Sequence, residues 1–402
     1  MLDTPVHAAN SEATRRGKRA VRTTVASGIN HQDSVKNPVA ALEAILAQAV
    51  FDPSDPLALG KILTQMIERG DDRLPLPGSG RTLLRWQALA AVAARDLALV
   101  KLFEGHTDAL AILAELQGSD AHGRVPAGSR TAWHAPCWGV WAAEAPDARL
   151  IATRVDMEVI RGVGSGARDE ALQLNLQLNG TKAWCSGSRV LTHALVTAWL
   201  DDQPILAAVA LKQPSVSVST RHWHAVGMQG TESGDVHFDA TPAQQLGTPH
   251  AYVRRAGFWQ GGAGIAACWY GAAAGIARML ADAVAARPDA HRLAHLGEVD
   301  IALAGAAAVL RASAAHIDAN PGADHPSTAL RARLVVEAAA TEVIRHAGRA
   351  LGAAPLCRNQ RFARAMADLP VFLRQSHAER DLAALGESVL AQYREDSGLW
   401  PL

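Results

Sequence analysis

The chain of 402 residues has few cysteines, no net charge and few aromatic residues. Its four cysteines, Cys137, Cys185, Cys268 and Cys357, stand far apart. No CxxC pair exists, which removes zinc knuckles and redox dithiols. Buried free thiols in a reducing cytoplasm are the expectation, so a cytoplasmic location follows. Lys plus Arg number 39 and Asp plus Glu number 39. That balance argues against a nucleic-acid partner, and no acidic tail invites a basic one. Aromatic residues make up 5% and are not interleaved with a basic patch. No Gly-x-Ser-x-Gly elbow occurs. His291 and His295 share a helix face without a following Glu. His222 and His224 flank Trp223 with no third ligand nearby, so no metal site is expected.

What is present points to a folded protein. Hydrophobic residues make up 49% and charged ones 19%, which excludes bulk disorder. Residues 1–37 are basic through Arg15, Arg16, Lys18, Arg19, Arg22 and Lys36, and read as a tail outside the folded part. One run, Ala256 to Ala277, carries no charge and is long enough to cross a bilayer. It is rich in Ala and in Gly257, Gly261, Gly262, Gly264, Gly271 and Gly275. Small residues contribute little transfer energy, and they let helix backbones approach closely. The run therefore reads as the core helix of a bundle, not as a membrane span.

Three periodicities divide the chain. Residues 38–134 recur at helical spacing, with a break at Leu74 to Gly80 between the shorter helices and a long run from Thr82 to Leu102; a further helix follows at Ala109 to Leu116. Residues 135–249 alternate with period two, most sharply in Leu172, Leu174, Leu176 and Leu178. Asn179-Gly180 then reads as a tight hairpin turn. Further strands are expected at Leu150–Val155, Glu158–Ile160, Leu195–Leu200, Ile205–Leu211, Val216–Ser219 and Asp235–Phe238, giving a small β-barrel or sandwich. Gly162, Gly164 and Gly166 fall between two of them with no helix opening, so they are not a dinucleotide fingerprint. Residues 250–402 return to helix. Segments Ala256–Ala286, Pro288–Asp318, Ser327–Leu351 and Arg361–Tyr393 suggest a four-helix bundle.

Four motifs stand on this α–β–α frame. They are Trp138-Gly-Val-Trp141-Ala-Ala143-Glu144, Leu178-Asn-Gly-Thr-Lys182-Ala-Trp184-Cys-Ser186-Gly, Trp223-His-Ala-Val-Gly227-Met228-Gln-Gly-Thr231-Glu-Ser233, and Ile344-Arg345-His-Ala-Gly348 through Pro355 to Arg361. In this order, across about residues 40 to 390, they resemble the acyl-CoA dehydrogenase family. The resemblance implies an α+β architecture: an N-terminal helical domain, a middle β domain and a C-terminal four-helix bundle. It implies FAD, lodged against Trp141 and Trp184, with Ser186 and backbone N–H groups as donors. Ala143 stands where the family has a hydroxyl. Arg345 stands at a family Gln, Gly348 is one of a glycine pair, and Arg292 is a second candidate for the diphosphate. It also implies a homo-oligomer, an acyl-CoA or acyl-carrier thioester as substrate, and an electron-transfer flavoprotein or other acceptor.

The base does not follow the family. Abstraction of an α-proton needs a group within hydrogen-bond reach, and the family uses Glu. Ungapped counting from Pro355 and Arg361 puts Pro370 there, and the alternative position on the first bundle helix is charge-free. Asp368 is the candidate base by proximity. His377, Glu379, Arg380 and Asp381 read as a charged helix face with local ion pairs. Three functions stay open: thioester dehydrogenation with a displaced carboxylate, oxygen activation by a relative of the same fold on a non-CoA small molecule, and a non-catalytic flavin-fold protein.

Overall fold

The computed structural model describes residues 38–117, 136–155, 176–395 and 400. The basic leader, the Gly162–Gly166 segment, the expected strand Glu158–Ile160 and the first two leucines of the alternation lie outside them.

Four helices come first: α1 (Pro38–Gln48), α2 (Pro56–Glu68), α3 (Thr82–Arg95) and α4 (Leu97–Gln117). Pro56 opens α2, and the Asp55 carboxylate accepts the Leu57 N–H at 2.9 Å. The run expected from Thr82 to Leu102 is instead two helices. Asp96 is extended (φ −161°, ψ 135°) and its carboxylate accepts the Leu99 N–H at 2.8 Å. A buried cap thus ends α3 and starts α4, which also absorbs the expected helix Ala109–Leu116.

Seven strands follow: β1 (Trp138–Trp141), β2 (Leu150–Arg154), β3 (Leu176–Cys185), β4 (His193–Leu200), β5 (Gln203–Ala210), β6 (Val216–Ser219) and β7 (Gly234–Leu246). Pairing runs β1-β4-β2-β3-β7-β5, and β5 returns to β4, closing a barrel with β6 laid on β7. β1 ends this order, parallel to β4, and is an edge strand. Asn179-Gly180 is not a hairpin turn. It lies inside β3, where the register with β7 shifts between Leu178 and Gly180. Gly180 has φ +115°, and a Cβ there would meet Arg149 O at 2.5 Å. The pair is a glycine bulge, and Asn179 Oδ1 accepts the Ala240 N–H at 2.8 Å across it.

The chain then returns to helix: α5 (Ala251–Arg254), α6 (Gly257–Ala286), α7 (Ala290–Ala319), α8 (Pro326–Leu351), α9 (Ala353–Arg358), α10 (Gln360–Leu373) and α11 (Glu379–Glu395). α6, α7 and α8 match three of the expected bundle helices. The fourth, Arg361–Tyr393, is split at residues 374–378. By length and composition α6 and α7 could each cross a bilayer. α6 is the bundle's core, burying Ala266, Ala267, Cys268, Trp269, Ala272, Ala273 and Ile276. α7 leaves most of its apolar surface exposed. One buried apolar cluster runs from α1 through the barrel to α10. The architecture is the one expected: N-terminal helices, a central β-barrel and a C-terminal helical bundle. Cys137, Cys185 and Cys268 are buried and free, whereas Cys357 is exposed, contrary to expectation.

Candidate active site

A cavity of about 310 Å³ lies between α4, the end of β1, α5–α6, α8 and the α10–α11 connection. That is the low end of the range for small-molecule pockets. Helical spacing builds its walls. Lys101, Glu104, Gly105 and Asp108 fall at i, i+3, i+4 and i+7 on α4; Phe258, Gly261, Gly262 and Ile265 do the same on α6. Val140 and Ala142 form the β1 side, and Tyr252 and Trp259 add aromatic surface. Glycine keeps the slot open. A Cβ at Gly262 would meet nothing within 4 Å, and one at Gly105 would meet the Val140 amide nitrogen at 3.9 Å.

The cavity's charges are mostly committed. Lys101 Nζ lies 3.0 Å from Glu104 Oε2. Burial pushes the Glu104 carboxyl up, and Lys101 opposes it. Arg255 pairs with Glu115 at 3.0 Å, and Glu115 also accepts the Gly257 N–H that opens α6. Arg333 donates to Gly262 O at 3.1 Å and Gln375 O at 2.8 Å, with its guanidinium 5.0 Å over the Trp269 ring. It thereby ties α6 to the segment that carries His377. Asp108 Oδ1 and Arg255 Nε are buried with no partner among the described residues.

His377 lies on this wall, just before α11. Its backbone N–H donates to Asp381 Oδ2 at 3.0 Å, and its Nδ1 stands 3.3 Å from Asp381 Oδ1. Asp381 therefore caps the start of α11 and stands beside the imidazole, whose Nε2 has no protein partner among the described residues.

Trp141 and Ser186 meet beside this cavity. A crevice of about 10 Å³, room for one water, is lined by Gly139, Trp141, Ser186 and Leu191, and it shares Lys101, Gly105 and Val140 with the larger cavity. Trp141 Nε1 donates to Ser186 O at 3.1 Å. The other expected cofactor residues lie elsewhere. Trp184 is 61% exposed, at φ +62° on a bulge of β3, and lines neither space. Ala143 is exposed beyond β1, next to Glu144, whose carboxylate holds the buried Lys182 ammonium at 2.6 Å. Arg292 bonds Arg287 O and Asp289 at the start of α7. Arg345 is bound to Glu342 on α8, and Gly348 lies three residues further along that helix.

Asp368 faces a different cavity, of about 190 Å³, shared with Asp96, Arg361 and Arg364. Asp368 is buried, and its Oδ1 accepts the Met228 N–H at 2.5 Å. Burial raises its carboxyl to about 6, Asp96 adds to that, and Arg364 opposes it. A raised acid pKa means the native state holds its proton longer than the unfolded chain. Stability from this group is therefore intact below about pH 4 and declines as pH rises through about 6. By then the loss is on the order of 3 kcal/mol. Asp368→Asn keeps an acceptor for Met228 and cannot ionise. The variant should match the parent near pH 3.5 and melt at higher temperature at pH 8. An equal or lower melting temperature at pH 8 contradicts the burial argument.

At the β1 cavity an edge strand and glycine-lined helices leave a slot for a flat ring, Ser186 lies at one end, and the cations Lys101, Arg255 and Arg333 stand among the carboxylates Glu104, Asp108 and Asp381. No protein-family model matches the chain, and no curated protein does. Solved structures do resemble it. KijD3, in complex with FMN and dTDP-3-amino-2,3,6-trideoxy-4-keto-3-methyl-D-glucose, superposes with TM-score 0.67 at 19% identity, over 88% of this chain and 91% of that one. TdsC from Paenibacillus sp. A11-2, with FMN and indole, gives 0.64 at 19%, over 89% and 95%. Methanesulfinate monooxygenase MsuC from Pseudomonas fluorescens gives 0.65 at 17%, over 88% and 97%. At such identities the likeness shows the shared acyl-CoA dehydrogenase-like fold. It also corrects two expectations: the flavin in the KijD3 and TdsC complexes is FMN, which overturns FAD, and a monooxygenase among the neighbours overturns the acyl-CoA dehydrogenase label.

Proposed function

We propose that the chain is an FMN-dependent oxidoreductase that activates oxygen on a small, non-CoA substrate held between α4, α6 and β1. The observation that carries this reading is the His377–Asp381 pair on the wall of the β1 cavity. Where ungapped counting puts the family's Glu, the chain has Pro370, exposed on α10. An imidazole beside a carboxylate holds and moves a proton near neutral pH. Bound FMN would supply the two-electron chemistry with oxygen. Val140 and Ala142 would wall its ring, Ser186 would contact its edge, and Arg255 and Arg333 would meet its negative charge. Phe258, Trp259 and Ile265 would exclude water from the substrate. FMN-bearing neighbours with an amino-sugar nucleotide and with indole support a non-thioester substrate.

The assembly is read from α7. Gly297, Ile301, Ala304, Ala308, Ala312 and Ala315 form an exposed, uncharged stripe at helical spacing, the surface a second copy would cover.

The test uses the full chain. Fluorescence titration should show FMN binding, and light scattering should give a dimer or larger. Oxygen uptake driven by reduced FMN should rise with members of a panel of small amines, indoles and sulfur compounds. Anaerobic bleaching by acyl-CoA thioesters, with no response to reduced FMN and oxygen, sinks the reading.

A further inference from the structure

A chain of hydroxyls runs behind the crevice at Ser186, and counting its protons fixes its polarity. Thr231 Oγ1 lies 2.8 Å from Met228 O. A carbonyl can only accept, so the single Thr231 hydroxyl proton is spent there. Ser233 Oγ lies 2.9 Å from Thr231 Oγ1, so Ser233 must donate to Thr231. Ser186 Oγ lies 2.7 Å from Ser233 Oγ, whose proton is already used, so Ser186 must donate to Ser233. The frame is rigid. Met228 is held in the left-handed region at φ +59° by the Asp368 carboxylate, Gly187 N–H donates to Thr231 O at 2.7 Å, and Thr231 is buried.

We propose that Ser186 is a polarity-locked acceptor: it offers lone pairs and no proton to the crevice, and it selects a ligand that presents an N–H or O–H donor there. For a flavin presenting its N5 edge, this favours the reduced ring, which carries N–H, over the oxidised ring, whose bare nitrogen meets lone pairs. The ligand preference rests on reading the cavity as a flavin site. The lock itself does not.

Two measurements separate them. Neutron diffraction of deuterium-exchanged protein should place the Ser186 deuterium toward Ser233. A deuterium directed into the crevice overturns the lock, whatever the flavin does. Anaerobic titration with reduced and oxidised FMN should show the reduced form bound at least tenfold more tightly, equivalent to about +30 mV for the two-electron couple. Ser186→Ala should abolish the difference. Thr231→Val releases the Ser233 proton and should move the preference toward oxidised FMN, and Thr231→Ser should restore it. Equal affinities in the wild-type protein overturn the ligand selection. Binding of neither form defeats the flavin reading and leaves the lock to the neutron result.

Discussion

His377→Ala should lower turnover with reduced FMN and substrate by about 10²- to 10⁴-fold, the span for a positioned general acid–base group. The loss belongs in kcat, because the imidazole moves a proton and makes little of the cavity wall. FMN affinity should change by less than threefold. The side chain is 58% exposed, so melting temperature should hardly move. Asp381→Asn is the companion. It removes the negative charge beside Nδ1 and weakens the acceptor for the His377 N–H. It should lose less than the alanine variant and displace the pH profile of kcat, which a purely structural residue would not do. Glu379→Gln, on the exposed side of the same turn, should be silent. Full activity in His377→Ala would move the proton chemistry to one of the carboxylates on the wall, Glu104, Asp108 or Asp381.

The order helix, barrel, helix was legible because hydrophobic period is a local property. Four leucines at period two cannot face one side of a helix, and a charge-free Gly/Ala run can be buried all round. The joints were harder to read. Asp96 looked like one more polar residue in a long helix, yet its carboxylate caps Leu99 and redirects the chain. Asn179-Gly180 correctly signalled a positive φ, but only β2 and β7 on either side make it a bulge instead of a turn. Among the site residues, Trp141 and Ser186 do meet, whereas Trp184 faces out. His377 was passed over because a His–Asp pair at i, i+4 is ordinary on a helix surface. Reading Arg361–Tyr393 as unbroken concealed that the pair sits at a helix start. A signal was available in Ser376-His-Ala-Glu379, the capping-box pattern. The bonds formed differ from that pattern: Ser376 Oγ accepts the Ala378 N–H at 3.2 Å, Asp381 instead of Glu379 reaches back to the His377 N–H, and Ala378 turns to φ +47°.

Gly271→Ala should destabilise the fold by about 3 kcal/mol, at the upper end for overpacking. α3 and α6 cross at this point so closely that a Cβ on Gly271 would stand 2.2 Å from Ala90 O and 2.5 Å from its Cα. Both are backbone atoms, so no rotamer change relieves the clash and the helices must part. One turn on, a Cβ at Gly275 would meet Ala94 O at 2.9 Å, so the crossing is tight over two turns. Helix propensity works the other way, favouring Ala over Gly by ~1 kcal/mol. The sign of the measured change therefore decides which effect wins. Gly386→Ala is the control: it lies inside α11 with nothing within 4 Å of the added carbon, and it should stabilise by ~0.5–1 kcal/mol. Denaturant titration of both variants reads the difference. The effect should reach the site as well, because α6 carries Phe258, Gly261, Gly262 and Ile265 along the cavity. Moving that helix off α3 changes the slot's width, and FMN affinity should fall in Gly271→Ala while Gly386→Ala keeps it. A Gly271→Ala protein as stable as its parent would mean that α3 and α6 do not touch there, and the charge-free run would need another reason for its glycines.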